Sequence, residues 1–171
     1  MKIEILRSPT KEDWERCKML ALNTVGKKFT GEVTDNWKCK MLKAEHSPIR
    51  TLMFTIKMTI PYYVSVHFVR HKYGVEHYVT SQRNDRQNLY DRTEARQDAE
   101  VVHIMDINAQ ALINMSRVRL CNQADHTTQS VMKQIKKMII DICPEFEDVL
   151  VPNCKYRNIC PEFSPCGRNV L

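Results

Sequence analysis

Glycine is scarce in this chain: its 171 residues include four, Gly26, Gly31, Gly74 and Gly167. A dinucleotide-binding G-x-G-x-x-G loop needs clustered glycines so that bare backbone can approach a pyrophosphate, and these spacings exclude it. Gly26-Lys27-Lys28-Phe29-Thr30-Gly31 has the glycine spacing of a P-loop, but Glu32-Val33 stands where the lysine and the magnesium-binding hydroxyl belong. A nucleotide bound here is therefore held by side chains and helix ends. Long apolar runs are missing too. The longest, Ile60 to Val69, is interrupted by Ser65 and His67 and falls short of the ~20 residues of a membrane span. Met1-Lys2-Ile3-Glu4 has no signal-peptide character. The seven cysteines, an odd number, read as reduced thiols, and together these features predict a soluble cytoplasmic protein with no membrane partner.

With 43% hydrophobic and 27% charged residues, the composition is that of an ordinary globular chain, and the length predicts a single domain over 1–171 with a Cys/Pro-rich tail from about residue 144. The net charge of +6 invites an anionic partner. Arg83, Arg86, Arg92 and Arg96 cluster, but acidic residues are mixed among them, which favours a specific pocket or a salt-bridged helix over a phosphate-backbone stripe. No basic helix with interleaved aromatics and no RNP-type strand is present, which argues against nucleic acid.

Hydrophobic periodicity predicts an α+β fold: a small antiparallel sheet with helices and a long C-terminal helix. Ile3 to Leu6 reads as a strand and Lys11 to Asn23 as a helix. Thr34 caps a second helix that runs to about Ala44. From Arg50 to Ile60 the period is two, with Leu52, Phe54, Ile56 and Met58 on one face. Pro61 suits the first position of a buried helix through Arg70. His77 to Gln82 reads as a strand and 84–100 as a polar helix plus loop. Residues 107–142 read as one long helix, whose apolar surplus points to a subunit interface.

Two segments place polar groups beside buried apolar positions. At the end of the helix, Arg70, His71 and Lys72 stand together; they either complement the helix dipole or wait for an anion. In Ile107 to Arg119, two asparagines and two arginines lie in an apolar helix, as a solvent-facing stripe or as a site. Together with Glu45-His46-Ser47-Pro48 upstream, these segments resemble the flavin-dependent thymidylate synthases. The hallmark of that family, approximately R-H-R-x-x-S-x-N-E-x-S-x-R, reads here as Arg70-His71-Lys72 followed by Ser81-Gln82-Arg83. Asn108-Ala109, Asn114 and Arg119 reproduce the family's N-A-x-x-x-x-N-x-x-x-x-R helix. Lys72 replaces the third residue of R-H-R, His67 stands where the family has a glutamine, and 24 residues separate Arg83 from Asn108, so the chain resembles a divergent, shortened member.

The resemblance implies an FAD-dependent homotetramer with shared active sites, which methylates dUMP to dTMP with methylene-tetrahydrofolate and NADPH and uses no cysteine nucleophile. It implies Arg119 as the catalytic residue against the pyrimidine, where a permanent charge on a planar fork suits the carbonyls. It implies His67, Arg70, Ser81 and Arg83, with Arg119, as dUMP contacts, and Ser47, Arg70, His71, Lys72, Asn108 and Asn114 as FAD contacts. A related one-carbon transfer, such as hydroxymethylation of a deoxyuridylate, is the nearest alternative, and a non-catalytic nucleic-acid binder is the alternative from another class. No metal is required. Cys154, Cys160 and Cys166 are evenly spaced, but their gaps do not match a zinc knuckle; free thiols are the simpler reading, with Cys143 or His126 as the fourth ligand otherwise.

Overall fold

The computed structural model describes residues 1–88 and 91–167. Four strands, β1 (Lys2–Arg7), β2 (Met53–Pro61), β3 (Val75–Val79) and β4 (Glu100–Asn108), form one antiparallel sheet in the order β1-β2-β4-β3. The alternation along β2 sets its register. Phe54, Ile56, Met58 and Ile60 are fully buried, while the residues between them are half-buried. Ile5 faces Ile56 and Ile3 faces Met58, so β1 continues the same apolar face. Each fully buried side chain of this kind stabilises the fold by roughly 1.5–3 kcal/mol.

The helices lie against that face. α1 (Lys11–Asn23) starts in a capping box, with Thr10 and Asp13 each accepting from the other's backbone N–H, and it buries Trp14 and Cys17. α2 (Asp35–Ala44) is capped by Thr34, as expected, and ends at Glu45 in the left-handed region (φ 50°). A 3-10 turn, Ser47–Thr51, precedes β2. α3 (Tyr62–Val69) follows β2 directly, with Pro61 closing the strand as the residue before the helix. The core closes where Phe54 meets Phe146 edge-on, with ring centres 5.2 Å apart.

Two expectations need correction. Residues 107–142 are not one helix. β4 runs to Asn108, α4 (Ala109–Arg119) follows, and α5 (His126–Ile142) begins after a turn. Two caps set the breaks: Asn108 accepts from the Ala111 N–H and Asp125 from the Thr128 N–H, both at 2.9 Å. Gln129 then donates to the carbonyls of Leu120 and Cys121, satisfying the end of α4. The turn folds α5 back, so Val131, Met132, Ile135 and Ile139 enter the chain's own core with Leu112 and Met115. The apolar surplus inferred for a subunit interface is used internally.

The second correction concerns 84–100, where no α-helix forms among the described residues. A turn at 84–86 and a short 3-10 turn, Arg92–Glu94, take its place, and residues 89–90 lie outside the described residues. The charged pairs there are local: Arg83 with Asp85 and Arg96 with Asp98, each bidentate at 2.8–2.9 Å. The strand expected over His77 to Gln82 is Val75–Val79. No helix among the described residues is long and apolar enough to cross a membrane. A short α6 (Asn153–Arg157) opens the tail.

Candidate functional site

The turn between α3 and β3 carries Arg70, His71, Lys72 and Tyr73, and Gly74 makes it possible. Gly74 has φ +71°, and a Cβ there would lie 2.5 Å from the Asn108 side-chain nitrogen. The Asn108 N–H donates to the Gly74 carbonyl at 2.9 Å, so the turn is pinned against the start of α4. Together they shape a cleft of about 220 Å³ lined by Arg70, His71, Lys72, Tyr73, Ala111 and Asn114.

Arg119, at the end of α4, reaches across to this turn. Its Nε donates to Nε2 of His71 at 3.0 Å and its Nη2 to the carbonyl of His67 at 2.6 Å. It is half-buried, so a solvent-facing role does not hold. Accepting from Arg119 requires a lone pair on His71 Nε2, hence a neutral ring with its proton on Nδ1. Burial, then the charges of Arg119 and His77, pushes the His71 pKa down to about 4, which agrees. Burial, then Arg70, lowers that of Arg119. Among the described residues no carboxylate lies within 4 Å of Arg70, Lys72 or Arg119, whereas Arg83, Arg86, Arg96 and Arg117 are each paired with one. Cations gathered without counter-charges favour an anion beside them.

The remaining expected residues divide. His67 lies in α3 on the Arg119 side. Thr128 donates its hydroxyl to Asp125 and so accepts from His67 Nδ1 at 2.7 Å, which leaves the ring's Nε2 without a partner among the described residues. Asn108 is the N-cap of α4, with Oδ1 committed to the helix. Asn114 lines the cleft. Ser47, exposed at the start of the 3-10 turn that buries Pro48 and Ile49, does not line this cleft. Ser81 and Arg83 lie on the exposed loop after β3, where Ser81 Oγ accepts from the Arg83 N–H at 3.2 Å, and they do not line this cleft.

Beside the cleft, Asn114 joins a network whose pairings the sequence does not show. Glu45 accepts from Arg117 and, at 2.5 Å, from Gln110, and both donors also reach Asn114. Tyr156 of α6 covers the Arg117 guanidinium with its ring centre 3.5 Å away. Arg117 Nε is buried without a partner among the described residues. The left-handed Glu45 after α2 breaks the helix, but nothing in the spacing links it to a residue 72 positions on. In the tail, the described cysteines are free, and no group of three or more His, Cys, Asp or Glu among the described residues could hold a metal. Cys143 is buried at the end of α5, where burial pushes its thiol up to about 11.

A crystal structure of a UMP/dUMP methylase, PolB from Streptomyces cacaoi bound with 5-Br dUMP, is similar to this chain with a TM-score of 0.65, over 88% of this chain and 96% of that one. The two share a fold. Their sequences are 14% identical, so the likeness concerns architecture alone. No model of a known protein family and no curated protein matches the chain. The likeness to the methylase spans nearly the whole of that protein, so the α+β architecture that carries Arg119 is the part held in common.

Proposed function

We propose that this chain acts on dUMP and transfers a one-carbon unit to its pyrimidine, in the manner of the flavin-dependent thymidylate synthases. The observation that carries the reading is Arg119, held by His71 and the His67 carbonyl beside a cationic cleft without carboxylates. The shared fold with a methylase crystallised on a dUMP analogue supports it. Arg119 lies against the uracil carbonyls and stabilises charge that develops there in the reaction. A fork already fixed by two partners does so without reorganising.

The donor set suits FAD. Arg70, Lys72 and the His71 Nδ1–H offer charge and hydrogen bonds to a pyrophosphate, and Asn114 and the Asn108 Nδ2 offer amide donors. When bound and reduced by NADPH, FAD supplies the hydride that turns the methylene carried by tetrahydrofolate into a methyl group. The cleft's 220 Å³ is below the ~300–1,000 Å³ of a site that buries a drug-sized ligand, so one chain covers only part of a dinucleotide. Ser47, Ser81 and Arg83 complete the site from neighbouring copies in a homotetramer, Ser81 and Arg83 at the dUMP phosphate. The exposed apolar side chains Tyr62, Val66, Val69 and Tyr78 near the turn suit such an assembly.

His67 supports hydroxymethylation of a deoxyuridylate as a second reading. With Nδ1 committed to Thr128, the ring presents one acceptor where a glutamine presents an acceptor and a donor, which alters recognition of the pyrimidine edge. The nucleic-acid reading loses support because Arg86 and Arg96 are paired with their own neighbours. Titration with FAD, then dUMP, tests the proposal: the protein takes up flavin and dUMP perturbs its absorbance. A protein that stays colourless, ignores dUMP and shifts DNA in a gel contradicts it.

A further inference from the structure

Behind the α3–β3 turn lies a line of polar side chains in the core. His103 of β4 is fully buried and Ser65 of α3 is 1% exposed. The sheet register explains their meeting. His77 pairs with Met105 and Val79 with His103, so His77 and His103 are diagonal neighbours on the face that α3 covers. Their rings lie 5.1 Å apart, and Phe68 walls His103 edge-on. Three hydrogen bonds run through the line. Ser65 Oγ is 3.0 Å from His103 Nδ1, His103 Nε2 is 2.9 Å from His77 Nδ1, and His77 Nε2 is 2.8 Å from the carbonyl oxygen of His71.

The last contact fixes the direction of the others. A carbonyl only accepts, so His77 Nε2 carries a proton. In a neutral ring its Nδ1 is then a lone pair, and His103 Nε2 must donate to it. His103 Nδ1 is in turn a lone pair, which accepts the Ser65 hydroxyl proton. Each neutral ring thus has one permitted tautomer, and every donor points toward His71. A fully satisfied buried network of this kind rigidifies its surroundings.

We propose that Ser65, His103 and His77 are positioning residues for the candidate site: they anchor the His71 backbone from the core, and so aim the imidazole that holds Arg119. His71 is the shared element. Its carbonyl takes the end of the buried line, and its Nε2 takes the Arg119 guanidinium. The effect expected on turnover rests on the dUMP reading, whereas the effect on His71 does not.

The test compares His77→Phe, which removes the donor to His71, with His77→Gln, which keeps a donor near the Nε2 position. Nitrogen-15 NMR of the imidazoles in the whole protein should show His77 and His103 as Nε2–H tautomers and His71 as the Nδ1–H tautomer. In His77→Phe the His71 signals should lose that single tautomer, and His77→Gln should restore it. With dUMP, kcat/KM should fall about 10- to 100-fold in His77→Phe and stay within about threefold in His77→Gln, the scale expected when a positioning contact is lost. If wild-type protein ignores dUMP while His71 still responds to the pair of variants, the functional reading fails and the positioning role stands. If the His71 signals are the same in wild type and in a folded His77→Phe, the proposal is overturned. Should His77→Phe not fold, Ser65→Ala and the His77→Gln protein give the same comparison, and unchanged His71 signals in Ser65→Ala with a lost tautomer in His77→Gln would contradict it.

Discussion

Arg119 and His71 are 48 residues apart in sequence and share a hydrogen bond of 3.0 Å between Nε and Nε2. Arginine donates and never accepts here, so the bond exists only while His71 is neutral and protonated on Nδ1. The orientation of a half-buried guanidinium thus depends on the protonation state of a neighbouring ring.

Replacing Arg119 by lysine keeps the charge but loses the planar fork and one of its two anchors. Turnover on dUMP should fall on the order of 10²–10³-fold, the scale of a lost transition-state contact. FAD binding, which the proposed function assigns to Arg70, Lys72 and the asparagines, should persist in a flavin titration. His71→Ala should weaken both, because His71 lines the cleft and also aims Arg119. Near wild-type turnover in Arg119→Lys would refute the role given to this residue.

Stability should depend on pH through two histidines. Burial is the main cause that lowers the pKa of both His71 and His103 to about 4, against an ordinary value of 6.5. The unfolded chain therefore binds these protons more readily than the folded one, and stability rises with pH in that window. The full contribution is present above about 6.5 and is lost as pH falls through about 4. Thermal melts across this range should show a falling midpoint, with a shallower slope in His103→Gln. A flat profile between these values would contradict the buried, neutral assignment.

Gly74→Ala should destabilise the fold by about 1–3 kcal/mol, since the residue is held at positive φ and its Cβ would meet the Asn108 side chain. Denaturant unfolding measures this directly. The same substitution should disturb the N-cap of α4, which is visible as faster amide exchange at Ala111. An unchanged midpoint would show that the turn is more compliant than its geometry indicates.

Glu45, Gln110, Asn114 and Arg117 form one network, so their substitutions should not add. Glu45→Ala leaves Arg117 largely buried without its carboxylate, at a cost of roughly 1–3 kcal/mol. Adding Arg117→Met to that variant should recover part of the loss. Equal additivity in the double-mutant cycle would dissolve the network.

Much of the architecture could be read before the structure. The bounds of α1, the Thr34 cap and the alternation of Phe54, Ile56 and Met58 followed from caps and period. β4 did not, because Ile107 matches a helical step with Ala111 and also a period of two with Met105 and His103. Asn108 and Asp125 were the available signals for two helix starts, and both cap with the residue three positions on. Arg119 and the Arg70–Lys72 turn, singled out by their resemblance to a family motif, are brought together by the fold. Glu45 with Arg117, and His77 with His103, were not legible in the sequence, since those pairings depend on tertiary register.

The most direct measurement is the mass of the nucleotide recovered after the protein is incubated with FAD, dUMP, methylene-tetrahydrofolate and NADPH. Conversion to dTMP is expected, slowed on the order of 10²–10³-fold in Arg119→Lys and absent without NADPH. A hydroxymethylated product would keep the substrate and the site and move the reaction to the second reading. Unchanged dUMP, from protein that carries flavin and is correctly folded, would contradict the proposed one-carbon transfer.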